Sequence, residues 1–270
     1  MCINMEFGEI FRDALKYPIS DYKALLIVGV FILLSALVFV LAQFGVDNST
    51  FTLVWSIITI LISFLLSGYA LSVLKNGIEL DDEIPVFDWV KNFVDGIKLF
   101  VVSFVYMLIP TIICGIIGFV SIMPALSEMF SSEKLARIGP NADVTVIFST
   151  VPSSVWDSLF AGIAITAIIA LILFIIFGLF QTIAQCRLAK YDSLGEAFSF
   201  GEIFSDMKEI GILRLIAFLI VLWLIACVIG LIGALITAIP YVGIIITALV
   251  VYPFILLYSN RALGLLYSDV

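Results

Sequence analysis

Histidine is absent from the 270 residues, and only 13% of them carry charge. Without an imidazole there is no Ser-His-Asp triad, no histidine general base and no His-containing zinc or haem site. The four cysteines, Cys2, Cys114, Cys186 and Cys227, are too scattered for a CxxC pair or a disulfide framework. No glycine-rich phosphate cradle occurs. We therefore expect a protein that is not an enzyme, with no catalytic residue, cofactor or metal. Apolar residues make up 63% of the chain, against about 45–50% in a soluble domain. Lipid is the solvent this composition fits.

Charge-free stretches mark the segments that lipid would cover. Ala24–Val46, Asn48–Leu74, Leu99–Ser127 and Ser158–Cys186 contain no Asp, Glu, Lys or Arg, and neither does the longer Leu215–Asn260. A helix crosses the hydrocarbon core, roughly 30 Å, with about 20 residues. The first four stretches thus hold one span each, and the fifth holds two, divided near Pro240 and Gly243. Only helices or closed barrels satisfy their backbone groups in lipid, and these runs lack the alternation of barrel strands. The expected fold is all-α: a single integral membrane domain over residues 1–270 with six transmembrane helices. Pro110 and Pro253 should kink the third and sixth spans.

Lys and Arg, rather than the net charge of −8, set orientation. With six spans, Arg12, Lys16, Lys23, Lys75, Lys91, Lys98, Arg187, Lys190, Lys208, Arg214 and Arg261 share the side of the termini, and only Lys134 and Arg137 lie opposite. This predicts a multi-pass cell-membrane protein with both termini cytoplasmic and an external loop over 123–157. A short helix near 125–138 and a strand at 144–148 are expected within that loop. The first apolar run is too long for a signal-peptide core and follows charged, patterned sequence, so no cleavable signal is expected. Asn48-Ser-Thr50 is a glycosylation sequon on a loop too short for the modifying enzyme, and Glu79-Leu-Asp-Asp-Glu83 reads as a solvated linker.

A motif recurs along the chain. Phe7-Gly-Glu-Ile-Phe-Arg-Asp13 is nearly repeated as Phe200-Gly-Glu-Ile-Phe-Ser-Asp206, with a weaker copy at Trp89-Val-Lys-Asn-Phe-Val-Asp95. Each copy precedes an odd-numbered span, which divides the chain into units 1–75, 85–190 and 198–267, each a short amphipathic helix followed by two spans. Apolar residues recur at helical spacing in every copy, with charged residues on the other face. Phe7, Phe11, Trp89, Phe93, Phe200 and Phe204 are the expected anchors at the headgroup boundary. The alternative is a cytoplasmic bundle in which these faces pack together. Asp13, Asp95 and Asp206 are assigned to the polar faces; an interfacial enzyme would need them to converge in one pocket.

The spans hold no deep ionisable group, which argues against an ion-coupled pump. Ser56, Thr59, Ser63 and Ser67 share one helix face, and Gln181 and Gln185 lie in the fourth span. They are expected to make helix–helix contacts, with a permeation lining as the alternative. Ser67-Gly-Tyr-Ala-Leu-Ser-Val-Leu-Lys75, Ile84-Pro-Val-Phe-Asp-Trp89, Tyr106-Met-Leu-Ile-Pro110, Ile239-Pro-Tyr-Val-Gly243 and Asn260-Arg-Ala-Leu-Gly264 resemble an uncharacterised multi-pass family of archaea, notably methanogens, and bacteria. The chain is also distantly similar to the membrane region of glycerophosphodiester phosphodiesterases, without their catalytic domain. The resemblance implies a membrane protein and brings no site residues. The role expected is that of a membrane-organising or accessory protein that contacts lipid or a membrane-protein partner, with no nucleic acid involved. A transporter or channel for a small neutral or amphiphilic solute is the second reading, and an interfacial lipid-processing enzyme the third.

Overall fold

The computed structural model describes residues 6–46, 48–130 and 151–270. The described residues are helical with short connections and no strand: α1 Phe7–Ser20, α2 Tyr22–Ser35, α3 Leu37–Gln43, α4 Ser49–Ile78, α5 Trp89–Met129, α6 Ser153–Tyr191, α7 Leu194–Ala197, α8 Phe200–Ile210, α9 Ile212–Thr237, α10 Val242–Ile246 and α11 Tyr252–Tyr267. Five helical segments are long and apolar enough to cross a membrane: α4, α5, α6, α9 and the run Val242–Tyr267. The number reaches six when α1 and α2, bent by 81° where they meet, are counted as one crossing. The first apolar stretch is not one helix as expected, because it breaks at Ala36 between α2 and α3.

Local chemistry explains where the helices stop. Asp21 is extended and its carboxylate accepts the N–H groups of Lys23 and Ala24, so it caps α2 and ends α1. Gly211 separates α8 from α9 at φ +90°, which a side chain would resist. Between Asp95 and Leu99 the one glycine, Gly96, keeps the helical conformation and does not interrupt the helix. The second amphipathic segment is therefore not a separate short helix, as the repeat suggested, but the first turns of the 41-residue α5. α5 also runs through Pro110 and Pro124. The loop expected over 123–157 is accordingly shorter: its first residues belong to α5 and its last to α6. The expected strand at 144–148 and the end of the expected helix at 125–138 lie outside the described residues.

Pro253 acts through the helix before it. It has no N–H to give the carbonyl of Leu249, and the chain from Thr247 to Val251 widens into a π turn in which Tyr252 N–H reaches Thr247 O. Gly29 of α2 lies against the same Leu249 carbonyl, so close that a Cβ would sit 2.5 Å from the oxygen. Thr247, buried in this turn, bonds Gly233 O and Thr237 Oγ1 on α9.

The chain forms two compact units, Met1–Ser103 with Phe180–Val270, and Phe104–Leu179. In the smaller unit Ala125, Met129, Val151, Val155 and Leu159 make a core, and Gly162 lets α6 lie against the Ser121 carbonyl. In the larger unit the buried residues gather at one end of the long helices. Tyr69, Leu71, Val73 and Leu74 of α4, Ile183, Leu188 and Ala189 of α6, and Leu257, Tyr258 and Arg261 to Tyr267 of α11 are all covered by protein. Elsewhere these helices leave Leu, Ile and Phe uncovered along most of their length, a surface that lipid covers without cost and water does not.

Candidate functional site: an ion-paired helical layer

The buried end of the larger unit is where the charges are. Arg261 lies within α11, between Asn260 and Ala262, and is 1% exposed. A buried guanidinium needs partners for its donor fork, and four come from three parts of the chain. Nε donates to Asp13 Oδ1 on α1 at 2.9 Å, one terminal nitrogen to the carbonyls of Asn76 and Asp81, and the other to Asp82 Oδ1 at 2.5 Å. The guanidinium also stands over the Tyr17 ring, 4.7 Å from its centroid. Tyr17 donates to Glu83 O at 3.1 Å, and burial pushes its phenol pKa up, against the opposing pull of Arg261. Residues 79–83 are all exposed, as expected of a solvated linker, and Asp81, Asp82 and Glu83 also tie this linker to Arg261 and Tyr17.

Arg187 repeats the arrangement on α6. It donates to Asp206 Oδ2 at 2.8 Å, to the Glu196 carboxylate, and through Nε to Glu196 O at 3.2 Å. Tyr267 donates to the same Asp206 oxygen at 2.5 Å. The third motif aspartate, Asp95, is buried and receives Lys98 Nζ at 3.0 Å, while Lys98 reaches Asp192 at 2.6 Å. Asp95 and Asp206 do not lie on solvated polar faces as expected, because each has a cation within the protein. The three carboxylates are held separately by different cations.

The motif helices present corresponding faces to this layer. Ile10 and Ala14 of α1, Asn92 and Gly96 of α5, and Ile203 and Met207 of α8 occupy the same motif positions, and all six are buried. The aromatic positions divide. Phe11 is 7% exposed and stacks on Phe218 at 4.9 Å, with Phe7 edge-on to the same ring. Phe93 is half-buried, edge-on to Phe64. Trp89 is 61% exposed beside Phe31 and Phe87, Phe204 is 42% exposed under Lys208 Nζ, and Phe200 is exposed near Phe180. Ser56 and Ser63 bond back to the carbonyls of Thr52 and Thr59. Thr59 and Ser67 are half-buried, as is Gln181, while Gln185 Nε2 reaches Ser103 Oγ at 3.5 Å.

Sequence reasoning counted Arg187 and Arg261 only as topology signals. The sign of their role was an arginine followed directly by apolar residues, Leu188-Ala189 and Ala262-Leu263, near the end of an apolar run, which demands acceptors once it is buried.

These features define a helical membrane protein with an internally ion-paired end. Residues 51–238, well over half of the chain, match the family described as "Protein of unknown function (DUF4013)", and the chain belongs to that family. No curated protein and no solved structure matches it.

Proposed function

We propose that the chain is a six-span membrane protein of three repeated units, and that its role is non-catalytic. It organises lipid or a membrane-protein partner around the ion-paired layer, which lies on the cytoplasmic side at the headgroup boundary. The observation that carries this reading is the separate pairing of Asp13, Asp95 and Asp206. A lipid-processing site in this layer would draw on these carboxylates, and each is already neutralised by a structural cation. The repeat is supported by the shared buried positions and by a cyclic order of contacts. The helix of the first unit is tied to Arg261 of the third, that of the third to Arg187 of the second, and that of the second to Ser72 of the first through Asn92.

Transport of a small neutral or amphiphilic solute would need a polar path, and the hydroxyls of Ser56, Ser63 and Thr111 are spent on carbonyls of their own helices. A distant kinship with the membrane region of glycerophosphodiester phosphodiesterases is part of this proposal and would add no catalytic residue. Purified protein in vesicles tests the reading. Labelled phospholipid should remain intact and trapped neutral solute should stay inside. Turnover abolished by Asp95→Asn would mark an enzyme instead, and solute loss dependent on Gln185 would mark a transporter.

A further inference from the structure

The three copies of the layer are not filled alike. Ser72 of α4 bonds the second motif helix as Arg187 of α6 and Arg261 of α11 bond the third and the first, and by motif register Asn92 stands where Ile10 and Ile203 stand. The first and third motif helices thus meet an arginine. The second meets a short hydroxyl side chain, and a cavity of about 580 Å³ opens there. Its walls are Ser72, Lys75 and Asn76 of α4, the connection Pro85–Asp88, and Trp89–Asn92 of α5.

The polar groups of this cavity are unequally satisfied. Asn92 is buried, accepts only a long 3.4 Å bond from Ser72 Oγ, and has no partner for its amide nitrogen. An unpaired buried donor is costly enough to call for an acceptor. Lys91 has no carboxylate partner among the described residues, and Lys75 has only Glu79, an exposed contact at 3.7 Å. Asp88, the acid in the wall, directs its carboxylate to the backbone N–H groups of Val90 and Lys91. Two ammonium groups and an amide donor make an environment for an anion with several acceptor oxygens.

We propose that this cavity binds a phosphate-bearing anion, held between Lys75 and Lys91 with one oxygen accepting from Asn92 Nδ2. Its outer wall is apolar and uncovered, with Val86 90% exposed beside Trp89 and Val90, as suits a phosphate that carries an acyl tail. The ligand class is therefore the phosphate headgroup of an anionic lipid. This deepens the proposed function and rests on the layer lying at the headgroup boundary.

The test uses the full chain in detergent, with retained lipid counted by native mass spectrometry after addition of phosphatidylglycerol or phosphatidylcholine. A parallel arm measures thermal stabilisation by inorganic phosphate. The variants are the pair Lys75→Gln/Lys91→Gln, the single Asn92→Leu, and the charge-matched control Lys23→Gln/Lys208→Gln. The wild type and the control should retain phosphatidylglycerol in preference to phosphatidylcholine. The Lys75/Lys91 pair should bind it about tenfold more weakly, as expected for two charges near a lipid surface. Asn92→Leu puts an apolar side chain where Ile10 and Ile203 stand and should fold, so its loss of lipid binding would report the amide. Stabilisation by phosphate alone, lost in the Lys75/Lys91 variant, would mark an anion site supplied from solution and overturn the lipid-headgroup assignment. Equal retention of both lipids, or identical behaviour of the cavity and control variants without phosphate stabilisation, would overturn the proposal.

Discussion

Arg261 and Asp13 are 248 residues apart in sequence and 2.9 Å apart through Nε and Oδ1. Their pairing fastens the first helix to the last, and it draws residues 76–82 into the same set of bonds. Asp13 and Asp82 keep much of their surface in solvent while the guanidinium is buried. The cost of mispairing therefore falls mainly on the arginine.

Replacing Arg261 by Lys should fail almost as completely as replacing it by Ala, because an ammonium cannot serve acceptors on three sides of a planar fork. Breaking a buried pair costs about 3–5 kcal/mol, and Arg261→Ala should approach the lower figure, since Asp13 can return to water. Arg187→Ala should cost more, because Asp206 stays buried. Unfolding of purified protein by titrated denaturing detergent gives the order, which should be Arg187→Ala, Arg261→Ala, Arg261→Lys, from worst to mildest.

Gly68 lies where α4 meets α5, and a Cβ there would fall 1.7 Å from the Asn92 carbonyl oxygen. Gly115 has nothing within 4 Å of the same point. Gly68→Ala should push the helices apart and lower the unfolding temperature by several degrees, a loss above about 1 kcal/mol. Gly115→Ala should be neutral or slightly stabilising. A thermal melt followed by circular dichroism separates the two.

The motif phenylalanines should not respond alike. Phe11→Asp places a charge against Phe218 inside the protein and should abolish assembly, because burial of the ring, about 1.5–3 kcal/mol, is lost along with hydration of the new carboxylate. Phe93→Asp should be intermediate. Phe204→Asp should cost less than Phe11→Asp in detergent micelles, and more in a bilayer than in micelles, since Phe204 is 42% exposed. Yield of folded protein in each medium measures this contrast. Equal loss at all three positions in detergent would place Phe204 in a protein contact.

Much of the fold was legible because apolar length is a direct consequence of the solvent. The stretches from Asn48, Leu99, Ser158 and Leu215 coincide with α4, α5, α6 and α9. The interruptions were less legible. Nothing in composition marks Ala36 as a break, or shows that Gly96 stays helical after Asp95 while Gly211 turns the chain. The ion-paired layer was half visible. The aspartates were found through the repeat, but their cations lie up to 248 residues away, and periodicity along one helix carries no record of a partner on another.

The placement of Lys and Arg predicts an orientation with both termini cytoplasmic, and reporters fused after Val270 and inserted at Asn141 check it. They should label opposite sides of the membrane. Labelling of the same side would remove the six-span topology.

The position of the ion-paired layer at the lipid boundary is tested most directly through Trp89. With Trp55, Trp156 and Trp223, the other three of the four tryptophans, changed to Phe, the remaining indole reports its own depth in vesicles of brominated lipid. Strong quenching by bromine placed near the headgroup, with protection from aqueous iodide, is the predicted result. Quenching by iodide with none by any brominated lipid would set Trp89 in water and contradict the account.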